Sequence, residues 1–262
     1  MKKIETLSIN ITNACNMGCA HCLRGDAKTV SYMDERFIPK IFNGIDSIGT
    51  VVLTGGEPSL YPGFVRAVAD YIVESQTRVD GFFIVTNGKI YSQELVDSVK
   101  KVMFHYIKTN YQKKVGMSGE PGTINPMFLP SIIENDTSMF GIAVSIDKYH
   151  EDIPMDSYIR YYYSGVFNDS KITDFDEHFV LSMGRGKGLQ DSYYRPAHNL
   201  YIRVEDGGCI SCSEIYVTLE GNVYSDCDIS YEYEERHEPV GSIEEEGSLA
   251  AVIDRYCREH NC

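Results

Sequence analysis

The amino-acid sequence predicts an α/β protein built on a parallel sheet, and three observations lead to that class. Short apolar segments of strand length alternate with amphipathic segments of helix length over the first two thirds of the chain. Several apolar segments are followed at once by polar or glycine-rich residues, and parallel α/β folds build their sites at such strand ends. The eight cysteines fall in two groups, residues 15–22 and residues 209–262, whereas cysteines used only for packing would scatter.

The expected strands are short, and right-handed crossovers through the intervening helices would make them parallel. They are Glu5–Thr12, Thr50–Thr54, Phe82–Thr86, Phe104–Lys108, Phe140–Ile146 and His178–Ser182. The expected helices lie within Asp34–Ile48, Tyr61–Ser75 and Ser92–Val102. Residues 110–138 are expected to form a long irregular excursion. Nearer the C-terminus we expect a hairpin turning at Glu220–Gly221 and a helix near Leu249–His260.

Composition bounds the class of protein. The 262 residues are 43% hydrophobic and 24% charged, which is ordinary for a globular protein with one substantial core. The chain has no apolar run of membrane-spanning length and no signal-peptide pattern at its start, so we expect a cytoplasmic protein. The net charge of −14 argues against nucleic acid as the main partner, because phosphate binding needs a basic surface.

The first group of cysteines, Cys15, Cys19 and Cys22, has the spacing C-x3-C-x2-C. Three thiolates from one tight loop could hold three irons of a cubane cluster and leave the fourth iron without a protein ligand. An open coordination position is what a metal needs in order to bind a substrate. The alternative is a structural zinc site, which would require a fourth ligand, and His21 is the nearest candidate.

Placed directly after the first strand, this spacing resembles the signature of the radical S-adenosylmethionine (SAM) superfamily, although His21 stands where that family usually has an aromatic residue. Further segments strengthen the resemblance: Gly55-Gly56-Glu57 is similar to the family's motif for the SAM amino group. Asn87 and the Ser145–Asp147 segment are similar to segments that line the SAM pocket, and Arg160 and Arg185 to arginines near it. The residues that the resemblance assigns to SAM are thus Gly55, Gly56, Glu57, Asn87, Ser145, Asp147, Arg160 and Arg185.

The resemblance implies a fold, cofactors and a reaction. The fold would be a partial (β/α)6 barrel. The cofactors would be a [4Fe–4S] cluster with an open iron, held by Cys15, Cys19 and Cys22, and SAM bound to that iron. An electron from a flavodoxin- or ferredoxin-type donor would cleave SAM to methionine and a 5′-deoxyadenosyl radical, which abstracts hydrogen from a substrate.

The second group of cysteines is expected to hold a metal as well. Cys209 and Cys212 form a C-x2-C pair, Cys227 follows across the hairpin, and Cys257 and Cys262 compete for a fourth place. The layout resembles the SPASM or shorter Twitch extension of radical SAM enzymes, which implies one auxiliary [4Fe–4S] cluster; a zinc knuckle is the alternative. The division would then be a core domain over residues 1–190 and an auxiliary domain over residues 191–262.

Such extensions favour a peptide or protein side chain as the substrate. The first alternative is a small-molecule radical enzyme of the cofactor-precursor cyclase type, whose auxiliary cysteines have a similar layout. A glycyl-radical activase is a second, although the C-terminal cysteines argue against it. A non-catalytic iron–sulfur or zinc-binding module is a third, and the intact Gly55–Glu57 and Ser145–Asp147 segments argue against that one.

Overall fold

The computed structural model describes residues 1–75, 77–114, 139–168, 180–205 and 207–260, with the side chains of residues 111–114 excepted. The strands are β1 (Lys2–Asn10), β2 (Ser47–Thr54), β3 (Arg78–Val79), β4 (Phe82–Thr86), β5 (Phe140–Val144), β6 (Val180–Leu181), β7 (Ser192–Tyr193), β8 (Ile202–Glu205), β9 (Cys209–Val217), β10 (Asn222–Tyr224) and β11 (Gly241–Ser242). The helices are α1 (Phe37–Phe42), α2 (Pro62–Ser75), α3 (Gln93–Lys114), α4 (Met155–Tyr162), α5 (Tyr231–Arg236), α6 (Ile243–Glu246) and α7 (Leu249–His260). Within these ranges no helix is both long and apolar enough to cross a membrane.

One mixed sheet organises the molecule, in the strand order β11-β10-β9-β1-β2-β4-β5. Strands β1, β2, β4 and β5 are parallel, as the alternation of strand and helix segments predicted. Strand β9 pairs in parallel with the other edge of β1, and β8 and β10 flank it antiparallel. The C-terminal segment therefore continues the same sheet, and a division of the chain at residue 190 stays a prediction.

The register gives the sheet two chemically different faces, because partners in neighbouring strands share a face and side chains alternate along each strand. The aliphatic face carries buried apolar side chains: Leu7, Ile9, Val51, Leu53, Phe82, Ile84, Ile142, Ile215 and Val217. The polar face carries mostly small and polar ones, beside Val52 and Phe83: Thr6, Ser8, Asn10, Thr50, Thr54, Glu214 and Tyr216. Ser8 and Asn10 are nevertheless buried, so this face is enclosed.

Two sequence-based expectations were wrong in detail. Phe104–Lys108 is not a strand but part of α3, because Val99, Val102, Met103 and Ile107 recur at helical spacing and bury one face. The helix expected within Asp34–Ile48 is limited to α1, and β2 already begins at Ser47. Of the excursion expected over residues 110–138, residues 115–138 lie outside the described part of the chain.

The hairpin and the helix expected near the C-terminus are both confirmed. The hairpin of β9 and β10 turns at Glu220–Gly221, and Gly221 has a positive φ of 83°. A side chain there would also meet Ile243 and Phe37, since a Cβ atom would lie 2.8 Å and 3.0 Å from their side chains. Helix α7 spans the range expected for it.

Candidate active site

The three cysteines of the first group lie on the loop that follows β1. Cys15 is exposed, Cys19 and Cys22 are partly buried, and all three are free thiols. Burial is the largest cause that raises the pKa of Cys15 and of Cys19, and the charges of neighbouring thiols on the loop also raise both. Three free thiols on one short loop are a donor set that fits an iron–sulfur cluster with one iron left open.

Residues distant in the sequence hold this cysteine loop in place. The Gly18 N–H donates to Glu151 Oε1 at 2.6 Å, and Lys89 Nζ donates to the Asn16 carbonyl at 3.0 Å. Arg185 makes two bonds to the loop, from its backbone N–H to the Cys22 carbonyl at 2.9 Å and from Nη1 to the Cys19 carbonyl at 3.1 Å. The cysteines are therefore positioned by segments that follow β4, β5 and β6.

Gly55 and Gly56 are required by the start of the cysteine loop. A Cβ atom on Gly55 would lie 2.3 Å from the Thr12 carbonyl oxygen, and one on Gly56 would lie 2.2 Å from the Ala14 carbonyl oxygen. The Gly56 and Glu57 N–H groups donate to these same two carbonyls. The sequence indicated that these glycines let the backbone approach a ligand; the approach that the structure displays is to the loop that carries Cys15.

The Glu57 carboxylate is fully buried and already bonded. Its Oε1 accepts from Thr86 Oγ1 at 2.6 Å and from the Ser59 N–H at 2.8 Å, and its Oε2 accepts from the Asn87 N–H at 2.7 Å. The side chain thus ties the end of β2 to the end of β4. Because the Glu57 carboxylate is already bonded, the part of the Gly55–Glu57 segment that remains for binding a ligand is its backbone.

Asn87 connects the end of β4 to the cysteine loop. Its Nδ2 donates to Asn16 Oδ1 at 2.8 Å and lies 3.7 Å from Cys15 Sγ. The next strand end comes to the same place, since the Ser145 N–H donates to the Thr86 carbonyl at 2.9 Å. The structure therefore brings together three of the strand ends that the sequence singled out.

Asp147, which follows Ser145, is surrounded by histidines. Its Oδ2 lies 3.0 Å from His21 Nε2 and 2.8 Å from His150 Nδ1, and its Oδ1 accepts from the Tyr149 N–H at 2.7 Å. Burial alone would raise the pKa of Asp147, but the Tyr149 N–H and the two imidazoles lower it. His21 therefore connects the cysteine loop to the end of β5.

The two arginines assigned to SAM have different surroundings. Arg160 is exposed on α4 and stacks on the ring of Tyr91, 3.8 Å from its centroid. Arg185 binds Asp26 through Nε and Nη2, at 2.9 Å and 2.6 Å, in addition to its two bonds to the cysteine loop. Arg185 is thus placed to orient the loop, and a role for either arginine at SAM stays a prediction.

Comparison with known proteins identifies the family. The family model described as the radical SAM superfamily matches residues 9–112, which run from β1 through the cysteine loop and β4 into α3. Residues 9–112, which are less than half of the chain, thus carry the radical SAM domain. The match and the curated relatives support an enzyme of the radical SAM class with an α/β fold, and the family implies a [4Fe–4S] cluster and SAM as cofactors.

Some curated relatives are similar along almost the whole length of the chain, and others over about a third of it. A GTP 3′,8-cyclase of Haemophilus influenzae strain PittGG is 24% identical over 290 aligned positions, which cover 94% of this chain and 84% of the relative. A GTP 3′,8-cyclase of Chlorobaculum tepidum is 30% identical over 97 positions, 36% of this chain and 29% of the relative.

Solved structures match the chain with low TM-scores and low sequence identity. Native anSMEcpe with bound AdoMet and Cp18Cys peptide has a TM-score of 0.42 at 12% identity, covering 98% of this chain and 82% of that one. Streptococcus suis SuiB bound to its precursor peptide SuiA has a TM-score of 0.37 at 10% identity, covering 85% of this chain and 59% of that one.

The sequence did not indicate a buried polar cluster between the radical SAM cysteine loop and β9. Arg24, two residues after Cys22, donates to the Ile229 carbonyl at 2.6 Å and lies over the ring of Tyr216, 4.4 Å from its centroid. Glu234 Oε1 accepts from the Tyr216 hydroxyl at 3.2 Å and lies 4.0 Å from Arg24. Only the place of Arg24 beside Cys22 could have drawn attention to it, because its partners are about 200 residues away in the sequence.

Asn10 lies in the same cluster. The Asn10 carboxamide is fully buried and makes no hydrogen bond of acceptable geometry within the described part of the chain, although the hydroxyls of Tyr216 and Tyr231 are close enough for it to lower their pKa values. Cys22 in turn contributes to raising the pKa of Tyr231, so this hydroxyl lies near the cysteine loop. A donor and an acceptor are therefore left on the polar face beneath Cys22.

The raised pKa of Glu234 predicts that the free energy of unfolding decreases as the pH rises. Burial raises its pKa from 4.5 to about 7, with Arg24 and Tyr216 opposing the shift. Between these two pH values the folded chain holds a proton that the unfolded chain releases. The contribution of protonated Glu234 to the free energy of unfolding is therefore complete below pH 4.5 and is lost as the pH rises through about 7. At one pKa unit per 1.4 kcal/mol, the loss is at most about 3 kcal/mol.

The measurement is urea unfolding of the cluster-free, reduced chain at pH 5 and pH 8. Glu234→Gln keeps the shape and the acceptor but does not titrate, so it should lack this part of the decrease in the free energy of unfolding. An equal decrease in wild type and variant would show that Glu234 is not the responsible group.

The structure separates the cysteines of the second group. Cys209 and Cys212 are three positions apart on β9, and the register of β9 against β8 is unbroken between them, so they point to opposite faces. Cys212 is buried in the apolar core together with Ile4 and Ile215, whereas Cys209 lies beside Lys3. Cys257 projects from the buried face of α7, and Cys262 lies outside the described residues. An auxiliary [4Fe–4S] cluster ligated by both Cys209 and Cys212 does not fit this arrangement.

Proposed function

We propose that this radical SAM enzyme acts on a small molecule bound at the polar face of the sheet, as cofactor-precursor cyclases do, with a nucleotide as the first candidate. The observation that carries the proposal is the extent of the likeness to GTP 3′,8-cyclases. It covers 94% of the chain and so continues well beyond the radical SAM match at residues 9–112. The peptide or protein substrate expected from the sequence has no comparable support and stays a prediction.

Contacts between the C-terminal segment and the cysteine loop support a substrate site between them. The Tyr231 N–H donates to the Arg24 carbonyl at 3.0 Å, and Arg24 donates in return to the Ile229 carbonyl. The C-terminal segment therefore encloses the polar face next to Cys22. The likeness to cyclases extends into this segment, beyond the family match. A small polar substrate there would find the carboxamide of Asn10 and the hydroxyl of Tyr231 available for hydrogen bonds.

The chain's own residues divide the work of the reaction. Cys15, Cys19 and Cys22 hold the [4Fe–4S] cluster, which when bound supplies the electron that cleaves SAM. We place SAM at the strand ends that are lined by the backbone of Gly55 and Gly56 and by Asn87, Ser145 and Asp147. Arg185 keeps the loop in position through the Cys19 and Cys22 carbonyls. The buried polar face holds the substrate and excludes water from it.

The test compares substrates by the hydrogen that they give up. Reconstituted and reduced enzyme is incubated anaerobically with SAM and, separately, with purine nucleotides, other nucleotides and unstructured peptides. We expect a nucleotide to increase 5′-deoxyadenosine formation by about tenfold or more, since bound substrate aligns the reacting atoms. Deuterium from a ring-deuterated form of that nucleotide should appear in 5′-deoxyadenosine.

Asn10→Ala is the site variant, and Asn43→Ala, at an exposed asparagine directly after α1, is the matched control. Stimulation by the nucleotide should be weakened in the first and kept in the second. Stimulation and deuterium transfer from a peptide, with none from any nucleotide, would replace the small-molecule proposal by the peptide one.

A further inference from the structure

Cys227 lies among carboxylates on the polar side of β9. Its N–H donates to Glu214 Oε1 at 3.3 Å, and its thiol lies 3.8 Å from Asp228 Oδ1. One ligand atom each from Glu214, Asp226 and Cys227 lies within 4.8 Å of the other two. Glu214 comes from a strand and the other two residues from the turn after β10, so the fold brings the three together.

The carboxylates keep lone pairs for a further partner. Asp226 is buried; its Oδ1 accepts from Arg195 Nη2 at 3.0 Å and from the Asp228 N–H at 2.8 Å, and its Oδ2 accepts from the His198 N–H at 2.9 Å. A carboxylate has about four lone-pair sites, so Oδ2 retains one. The bonds that Asp226 does make hold its orientation, as outer hydrogen bonds do for metal ligands.

The charges around Cys227 also favour a cation. Three carboxylates, of Glu214, Asp226 and Asp228, lie near two guanidiniums, of Arg24 and Arg195. The formal charge of the group is therefore negative, which favours a cation beside it.

We propose that Glu214, Asp226 and Cys227 bind a single divalent metal ion of the zinc type, in place of an auxiliary [4Fe–4S] cluster. One thiolate and two carboxylates are ligands that zinc accepts, and three protein ligands leave a coordination position open. Glu214 directs the site to the polar face, so the open position is on the side of the proposed substrate. The site deepens the proposed function, because the metal would lie on the side of the proposed substrate, but metal binding itself depends on none of the SAM chemistry. Cys209 and Cys212 lie on opposite faces of β9 and cannot share one auxiliary cluster.

The test counts metal ions in the full-length chain. Wild-type protein, reconstituted anaerobically with iron and sulfide and then given Zn²⁺, should hold about four irons and one zinc. In the Cys15→Ser/Cys19→Ser/Cys22→Ser chain, Co²⁺ should bind with a stoichiometry of one and give a thiolate-to-cobalt absorption band. Cys227→Ser should abolish that band, and Glu214→Gln should weaken Co²⁺ binding by about tenfold or more.

Cys209→Ser is the matched control, because it changes the same kind of side chain on the same segment, but at the start of β9 beside Lys3 and not beside Glu214 and Asp226. It should keep the Co²⁺ band and the zinc. Two results would overturn the proposal: about eight irons per chain, with four of them lost in Cys209→Ser as in Cys227→Ser, or no Co²⁺ bound by a chain whose circular dichroism is native. Neither readout involves SAM cleavage, so a failure here is distinguishable from a failure of the proposed function.

Discussion

Cys22→Ser protein, reconstituted anaerobically, is expected to lose the iron of the first cluster, about four per chain, and with it all formation of 5′-deoxyadenosine. Cys22 is one of three free cysteines on the loop after β1, and its carbonyl accepts a hydrogen bond from the Arg185 N–H. A serine hydroxyl is a poor replacement for a thiolate, so two cysteines alone would have to retain the cluster. Iron content and product formation are measured on the same preparation.

Cys209→Ser serves as the control for this loss. Cys209 is also a buried cysteine, but it lies at the start of β9 beside Lys3, far in sequence from the loop. Its substitution should leave the first cluster and SAM cleavage intact. Full iron content and product formation in Cys22→Ser protein would remove Cys22 from the ligand set.

Gly56→Ala is expected to displace the cysteine loop without touching a cysteine. The new Cβ atom would lie 2.2 Å from the Ala14 carbonyl oxygen, 2.7 Å from the Ala14 carbonyl carbon and 2.8 Å from the Asn13 carbonyl carbon. These are backbone atoms that cannot rotate away, so the loop must shift and Cys15 must shift with it. The expected result is a decrease of about 1–3 kcal/mol in the free energy of unfolding, with most of the iron lost on gel filtration.

Gly63→Ala is the matched control for this substitution. Gly63 lies in the first turn of α2, and a Cβ atom there would have no heavy atom within 4 Å. Alanine should leave the iron content unchanged and slightly raise stability, because it restricts the unfolded chain. Equal iron retention in both variants would show that the contact between Gly56 and Ala14 does not position Cys15.

Local patterns in the sequence predicted the strands and sites that depend on neighbouring residues. Strand Phe82–Thr86 and helix Leu249–His260 have the bounds expected for them, since an apolar run and an amphipathic run are complete within themselves. The cysteine loop and the segments at Gly55, Asn87 and Ser145 meet because parallel strands end at one edge of a sheet. The sequence assigned these residues to the same place for that reason.

Features that depend on long-range pairing could not be predicted. The contact of Arg24 with Ile229 requires β9 to lie beside β1, and nothing local to either segment indicates that neighbour. The separation of Cys209 from Cys212 requires β9 to continue unbroken through the C-x2-C pair, which the sequence indicated as a metal-binding knuckle. The hydrogen bonds of Glu57 could not be predicted either, because its three donors, from Ser59, Thr86 and Asn87, become neighbours only when β2 and β4 pair; its role at SAM stays a prediction.

The most direct test of the account is SAM cleavage by the reconstituted, dithionite-reduced wild-type chain, with Cys22→Ser protein as the blank. We expect 5′-deoxyadenosine and methionine in equal amounts from the wild type, slowly without substrate and faster with the nucleotide that binds at the polar face. Absence of 5′-deoxyadenosine from a preparation that holds its first cluster would contradict the account, because the cysteine loop and the strand ends around it would then have no radical chemistry to support.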